Sequence, residues 1–251
     1  MITIEHINKS FGPQQVLQDI SLAFEAGKTN LIIGASGSGK TVLLKAISGL
    51  HSIDSGRIFY DQTCFSSLNE AGRKAIHQQT GMLFQGAALF DFATTEENVR
   101  FPLDFFTDWS DAQKKERVDF CLERVNLPDV HQKYPSELSG GMQKRVGIAR
   151  ALVMDPKYLF CDEPNSGLDP QTSIKIDELL HSLTHEFNMT TIINTHDMNS
   201  VVGIGEKVVF IHEGRNAWTG TKDNIFNSDC KELNDFVFAS QMAQLLKKVK
   251  S

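Results

Sequence analysis

The eight residues GASGSGKT, Gly34 to Thr41, restrict the fold of this chain more than any other stretch. They follow the short apolar run LIIG and open the periodic segment TVLLKAI, the strand–loop–helix setting in which GxxxxGK[ST] cradles phosphate. Across Gly34, Ala35, Ser36, Gly37, Ser38 and Gly39 the backbone N–H groups can crowd around phosphate oxygens, and the helix N-terminus adds its partial positive charge. Lys40 is expected to reach the β- and γ-phosphates, and the Thr41 hydroxyl to ligate Mg²⁺. An α/β fold built around a nucleotide phosphate is the expectation.

Three further short runs, MLF (82–84), YLFC (158–161) and TTIIN (190–194), carry almost no charge. With LIIG they are expected to be parallel strands buried on both faces. Earlier in the chain ITIEHI, VLQDISLAF and RIFYDQ alternate as half-buried strands do, so an antiparallel sheet beside the main core is expected. Between Gln85 and Asp155 strand signals vanish. There DAQKKERVDFCLERV places Val118, Leu122 and Val125 on one helical face, as in a helical insertion.

A second phosphate-site element is YLFCDEP, where an apolar run ends in two carboxylates. Asp162 is expected to hold Mg²⁺, and Glu163 to polarise an attacking water as general base. In ELSGGMQKRV, Ser139 reads as the N-cap of a helix through Val146, Ala149 and Leu152. Its side chain and the bare N–H groups of Gly140 and Gly141 make a second anion site, at a helix start far from the first.

Bulk properties limit the functions available. A net charge of -6 gives no general attraction to nucleic acid or to an anionic membrane. Cys64, Cys121, Cys161 and Cys230 lie far apart with no CxxC or Cys/His pairing, so reduced thiols are expected rather than a zinc site or a disulfide framework. No apolar run reaches the roughly 18 residues needed to span a bilayer.

These motifs, in this order, resemble the ATP-binding-cassette (ABC) ATPases. GASGSGKT matches the family's phosphate loop, Gln85 its Q-loop, LSGGM at 138–142 its signature, YLFCDEP its acidic strand end, SGLD at 166–169 its D-loop and His196 in NTHD its switch histidine. The resemblance implies a P-loop NTPase core with an antiparallel β subdomain and a helical signature subdomain over about 86–155, all within residues 1–225. It also implies that two copies sandwich two ATPs head to tail, each LSGGM meeting the γ-phosphate held by the other chain. Gln85 is then a candidate for reaching Mg²⁺ or the lytic water, His196 for the γ-phosphate, and Phe11 for stacking on adenine, with core packing the alternative for that ring.

Within the family, FQGAALF, ENVRFPL and SGGMQKRVGIARAL look like the ATPases of Mla/MCE-type lipid transporters. Met142 and Asn165 stand where the family more often has glutamine and threonine. This resemblance implies separate transmembrane permease subunits, an MCE-type lipid-binding protein, phospholipid or related cargo, and a place at the cytoplasmic face of the inner membrane. The competing readings are another transporter branch, such as lipoprotein release, cell division or small-solute import, and a soluble cassette acting on DNA or ribosomes. The last lacks the long coiled coil or second cassette that such proteins usually carry. Phe90, Phe92, Phe101 and Phe105, in a loop-like stretch after Gln85, are expected to grip the permease, the alternative being that they fill a core. Residues 226–251 are expected to form a helical tail, with Leu233, Phe236, Val237, Met242, Leu245 and Leu246 on its apolar face.

Overall fold

The computed structural model describes residues 1–239. Four strands, β1 (Ile2–Phe11), β2 (Gln14–Phe24), β4 (Ser55–Tyr60) and β5 (Thr63–Cys64), form an antiparallel sheet in the order β2-β1-β4-β5. Six others form the main sheet in the order β10-β9-β3-β8-β7-β6: β3 (Lys28–Ile33), β6 (Thr80–Leu83), β7 (Tyr158–Asp162), β8 (Thr190–Asn194), β9 (Lys207–His212) and β10 (Arg215–Gly220). All pairings within β9-β3-β8-β7-β6 are parallel, and β10 closes one edge antiparallel.

The low charge of the central strands follows from their position between two apolar layers. Leu31, Ile33, Leu159, Cys161, Ile193, Val208 and Phe210 face one core. Their alternating neighbours Ile32, Tyr158, Phe160, Ile192, Val209 and Ile211 face the other. That second core is shared with helix α1 (Lys40–Ile47), through Leu43, Leu44 and Ile47, and with the inward side chains Ile2, Ile4 and Ile58 of the antiparallel sheet.

The first core is covered by α3 (Thr95–Phe106), α4 (Asp111–Arg124), α5 (Gly140–Leu152) and α6 (Pro170–Glu186). Two shorter helices complete the pattern on the way to the C-terminal part, α2 (Glu70–His77) and α7 (Met198–Ile204). Helix α8 (Lys231–Val237) packs on its own domain, with Leu233 and Val237 buried and the Phe236 ring 5.4 Å from that of Phe210. Met242, Leu245 and Leu246, expected on the same face, lie outside the described residues.

Two expectations need correction. The phenylalanine-rich stretch after Gln85 is not loop-like throughout. Thr94 and Glu97 form a reciprocal capping box that starts α3, which carries Phe101 and Phe105 one turn apart. Pro102 sits inside this helix and removes one N–H from its ladder. Nor do the four rings fill the core: Phe90 is half-buried, while Phe92 is 83% exposed, Phe101 40% and Phe105 68%.

Candidate functional site

The phosphate loop leaves β3 and turns directly into α1. Gly34, with φ 149°, has no room for a side chain, because a Cβ there would run into the carbonyl of Ile211 on β9. Lys40 is buried, and its ammonium donates to the carbonyls of Gly34 at 2.8 Å and Ala35 at 2.9 Å. Burial pulls its pKa below the ordinary lysine value, against the opposing pull of the Glu163 and Asp162 carboxylates. The amine therefore stands where a strong anion would be welcome, next to N–H groups with the same preference.

Parallel pairing brings the ends of β7 and β8 to this loop. Asp162 pairs with Asn194 across the two strands. The Asn194 amide donates to Asp162 Oδ1 at 2.5 Å and to Thr41 Oγ1 at 3.0 Å, while the Thr41 hydroxyl lies 3.2 Å from the same carboxylate oxygen. Two buried oxygens here, Ser38 Oγ and Asn194 Oδ1, have no hydrogen-bond partner among the described residues. A hydroxyl, a carboxylate and unpartnered buried oxygens beside a phosphate loop are a donor set that suits Mg²⁺ with a phosphate ligand.

Glu163, next in sequence, adopts a left-handed backbone with φ 47° and an N–H bonded to Asn194 O at 2.9 Å. A non-glycine residue there carries about 1 kcal/mol or more of strain, which turns its side chain off the strand line. Its carboxylate meets Gln85 Nε2 at 3.2 Å and His196 Nδ1 at 3.1 Å. Gln85 also donates to Ser166 Oγ at 3.2 Å. The structure thus gathers Gln85 and His196 around Glu163, rather than Gln85 around Thr41 and Asp162. A cavity of about 580 Å³ lies between Ala35, Ser36, Lys40, Glu163 and His196 on one side and Phe236 and Val237 of α8 on the other.

The LSGGM stretch is elsewhere. Ser139 caps α5 by accepting from the Met142 N–H at 3.3 Å, and Ser139 and Gly140 are exposed. None of Ser139, Gly140 and Gly141 hydrogen-bonds to the phosphate loop among the described residues. Phe11 is also outside the cluster, at the end of β1. Its ring is 46% exposed, edge-on to His51 at 5.6 Å, with the Lys9 ammonium 5.3 Å from its centre. Core packing is therefore not its role.

Sequence reasoning missed the residues that tie these pieces together. Asn194 reads as one more strand residue, and only its polarity at the end of TTIIN marks it. The buried Lys144 ammonium of α5 donates to the Gln85 carbonyl. Arg150, two turns on, donates to the carbonyls of Ala87 at 2.6 Å and Ala88 at 2.8 Å, two residues held at positive φ. The helix begun by LSGGM therefore holds the loop begun by Gln85 through two cations.

A strand-loop-helix cradle for phosphate, closed by an acidic strand end and covered by helices, defines a P-loop nucleotide-binding protein. The comparisons narrow this. The ABC transporter family matches residues 17–166, and the chain belongs to that family as an ABC-type ATPase. The methionine import ATP-binding protein MetN of Caulobacter vibrioides is 38% identical over 90% of this chain and 68% of its own. The glutamine transport ATP-binding protein GlnQ of Bacillus subtilis is 37% identical over 86% of this chain and 88% of its own. Among solved structures, the ATP-binding cassette MJ0796, in a dimeric post-hydrolysis state bound to ADP and Pi, superposes with a TM-score of 0.80 at 30% identity, covering 88% of this chain and 99% of that one. No helix among the described residues is long and apolar enough to cross a membrane.

Proposed function

We propose that this chain is the ATP-hydrolysing motor of a small-solute importer, working as a head-to-tail pair of copies on separate permease subunits. The single observation that carries the motor reading is the convergence of Gln85 and His196 on Glu163, beside a phosphate loop whose buried Lys40 donates to the Gly34 and Ala35 carbonyls and forms no ion pair with a carboxylate among the described residues. In this reading Lys40 and the N–H groups of residues 34–41 hold the phosphates, and Phe11 offers its exposed ring to adenine. Thr41 and Asp162 would hold Mg²⁺, which when bound neutralises charge on the phosphate oxygens. Glu163 accepts the proton of the attacking water, with Gln85 and His196 orienting that water and the γ-phosphate. Ser139, Gly140 and Gly141 complete the partner copy's site, a role supported by the exposure of Ser139 and Gly140 and by the dimeric relative.

The cargo follows from the relatives: importers of methionine and of glutamine favour an amino acid or similar small solute, delivered by an external solute-binding protein. The lipid reading rests on FQGAALF, ENVRFPL and the Met142 signature alone, and neither of these relatives carries a lipid name. Attachment to the permease falls to the surface after Gln85. A groove of about 300 Å³ between Met82, Phe84, Phe90, Phe101 and Phe106 is large enough for an aromatic or aliphatic anchor from a permease helix. It adjoins the loop that Lys144 and Arg150 hold, so a shift at Gln85 passes to whatever the groove grips.

The test is co-expression with candidate importer permeases from the same organism, followed by reconstitution in liposomes. ATP-driven uptake of an amino acid supports the proposal, ATP-driven phospholipid movement replaces its cargo with lipid, and failure of any permease to co-purify overturns the motor reading. Phe90→Ser with Phe92→Ser should abolish co-purification while the isolated chain still folds and pairs on ATP.

A further inference from the structure

Near the C-terminal end of α6, His181 and His185 stand one helical turn apart with ring centroids 4.5 Å from each other. Glu206, just before β9, joins them. Its Oε2 lies 3.2 Å from His185 Nε2, and ligand atoms of all three residues lie within 4.8 Å of one another. We propose that these three side chains form a binding site for a divalent transition metal, with Zn²⁺ the ion that the donor set fits best.

Two imidazoles and one carboxylate are a familiar set for Zn²⁺, with a fourth position left to water. Ion pairing alone accounts for less of the arrangement. It uses one histidine, whereas the His181 ring makes no hydrogen bond among the described residues and is only half-exposed. Two imidazolium ions stacked this closely would repel, and one divalent cation shared between neutral rings removes that repulsion.

The carboxylate is held in the way metal ligands usually are. Thr29, near the start of β3 and fully buried, donates its N–H to Glu206 Oε2 at 2.8 Å, while its hydroxyl lies 3.0 Å from that oxygen and closer to the Ile204 carbonyl, to which it donates. Oε1 accepts no hydrogen bond among the described residues. Two ammonium groups are near enough to oppose a metal. That of Lys222 is occupied by the Gly203 carbonyl at 3.0 Å, and that of Lys28 by Glu25 at 2.5 Å. Thr29 and Gly34 stand near opposite ends of β3, roughly 16 Å apart at a strand's rise, so this site is separate from the phosphate loop. A bound ion would staple the far end of α6 to the starts of β3 and β9.

The probe is Zn²⁺ alone, titrated calorimetrically into the chelator-treated, nucleotide-free chain, with the thermal midpoint read in parallel. One ion per chain and a raised midpoint are expected. Both should vanish in His181→Gln with His185→Gln, and Glu206→Gln should weaken binding by about tenfold or more. MgATP turnover should stay at the wild-type level in all of them. Absence of saturable Zn²⁺ binding, or unchanged binding in the double histidine variant, overturns the proposal. If that variant fails to fold, the exposed His185→Gln alone is read by the same criteria.

Discussion

The N-terminal ends of α1 and α5 are both built from small residues, yet only the first is enclosed by its own chain. Around Lys40 stand Asp162, Asn194 and Glu163, brought from the ends of β7 and β8. Around Ser139 and Gly140 stands solvent. The two glycines at the second end differ as well. A Cβ at Gly141 would meet Thr172 of α6 at 2.6 Å, whereas one at Gly140 would make only ordinary contact with Leu168 at 3.4 Å. The chain's own packing requires a bare backbone at 141 and leaves 140 unexplained. The pairing of copies proposed above supplies the missing reason, since a phosphate approaching from outside needs that N–H uncovered.

The largest effects should separate the two ends by failure mode. Glu163→Gln and Ser139→Arg are each expected to lower ATP turnover by about 10²-fold or more. They should differ in assembly: Glu163→Gln retains ATP and accumulates ATP-bound pairs, while Ser139→Arg binds ATP and stays single on a sizing column. A single Ser139→Arg chain hydrolysing ATP at the wild-type rate would break the comparison, because the exposed end would then serve no second copy.

A smaller effect distinguishes the two glycines. Gly141→Ala must displace Thr172 and should lower the stability of the isolated chain by about 1–3 kcal/mol in urea unfolding. Gly140→Ala should leave that stability unchanged or slightly raised, since alanine suits a helix better than glycine, and should instead weaken ATP-dependent pairing. Equal losses of stability at both positions would show that packing within one chain explains both residues.

The enclosed end was legible in the sequence because its parts are local. A glycine loop between strand and helix, or two carboxylates at a strand end, states its chemistry within eight residues. Long-range partners were not legible in that way. Thr41 and Asn194 are 153 residues apart in sequence and 3.0 Å apart in space, and nothing near either announces the other. The same holds for Lys144, which reads as a surface cation of an amphipathic helix and is in fact buried against the Gln85 loop. Strand β9 was missed although VVFI is as charge-free as LIIG, because no motif drew attention to it. Helix α3 is announced in the sequence only by Thr94 and Glu97 at capping-box spacing, while the phenylalanines around it give a loop-like reading.

The segment from Asn165 to α6 physically joins the two ends, and it contains the smallest effect to be measured. Asp177, buried on α6, accepts from the Asn165 amide at 2.8 Å, while Asn165 also donates to Ser200 of α7 at 3.2 Å. Burial pushes the Asp177 pKa up to about 6 from 3.8, helped by Asp197 and Glu178 and opposed by the hydrogen bonds from Ser200 and Asn165. A folded-state pKa above the unfolded one means the native chain holds the proton more tightly. Stability from this group is therefore lost as pH rises from about 4 to 6, and the full penalty, on the order of 3 kcal/mol, is present at pH 7. Asp177→Asn removes the charge, and its amide can donate to Asn165 Oδ1, a buried oxygen without a partner among the described residues. Part of the gain is offset because Asn165 then donates to a neutral acceptor. The variant should be more stable than wild type by about 1–2 kcal/mol at pH 7 and by much less near pH 4.5, read as the difference in urea midpoints at the two values. A difference that does not shrink with acidification would mean that Asp177 is ionised throughout, and that the bridge between the two ends is set by its charge.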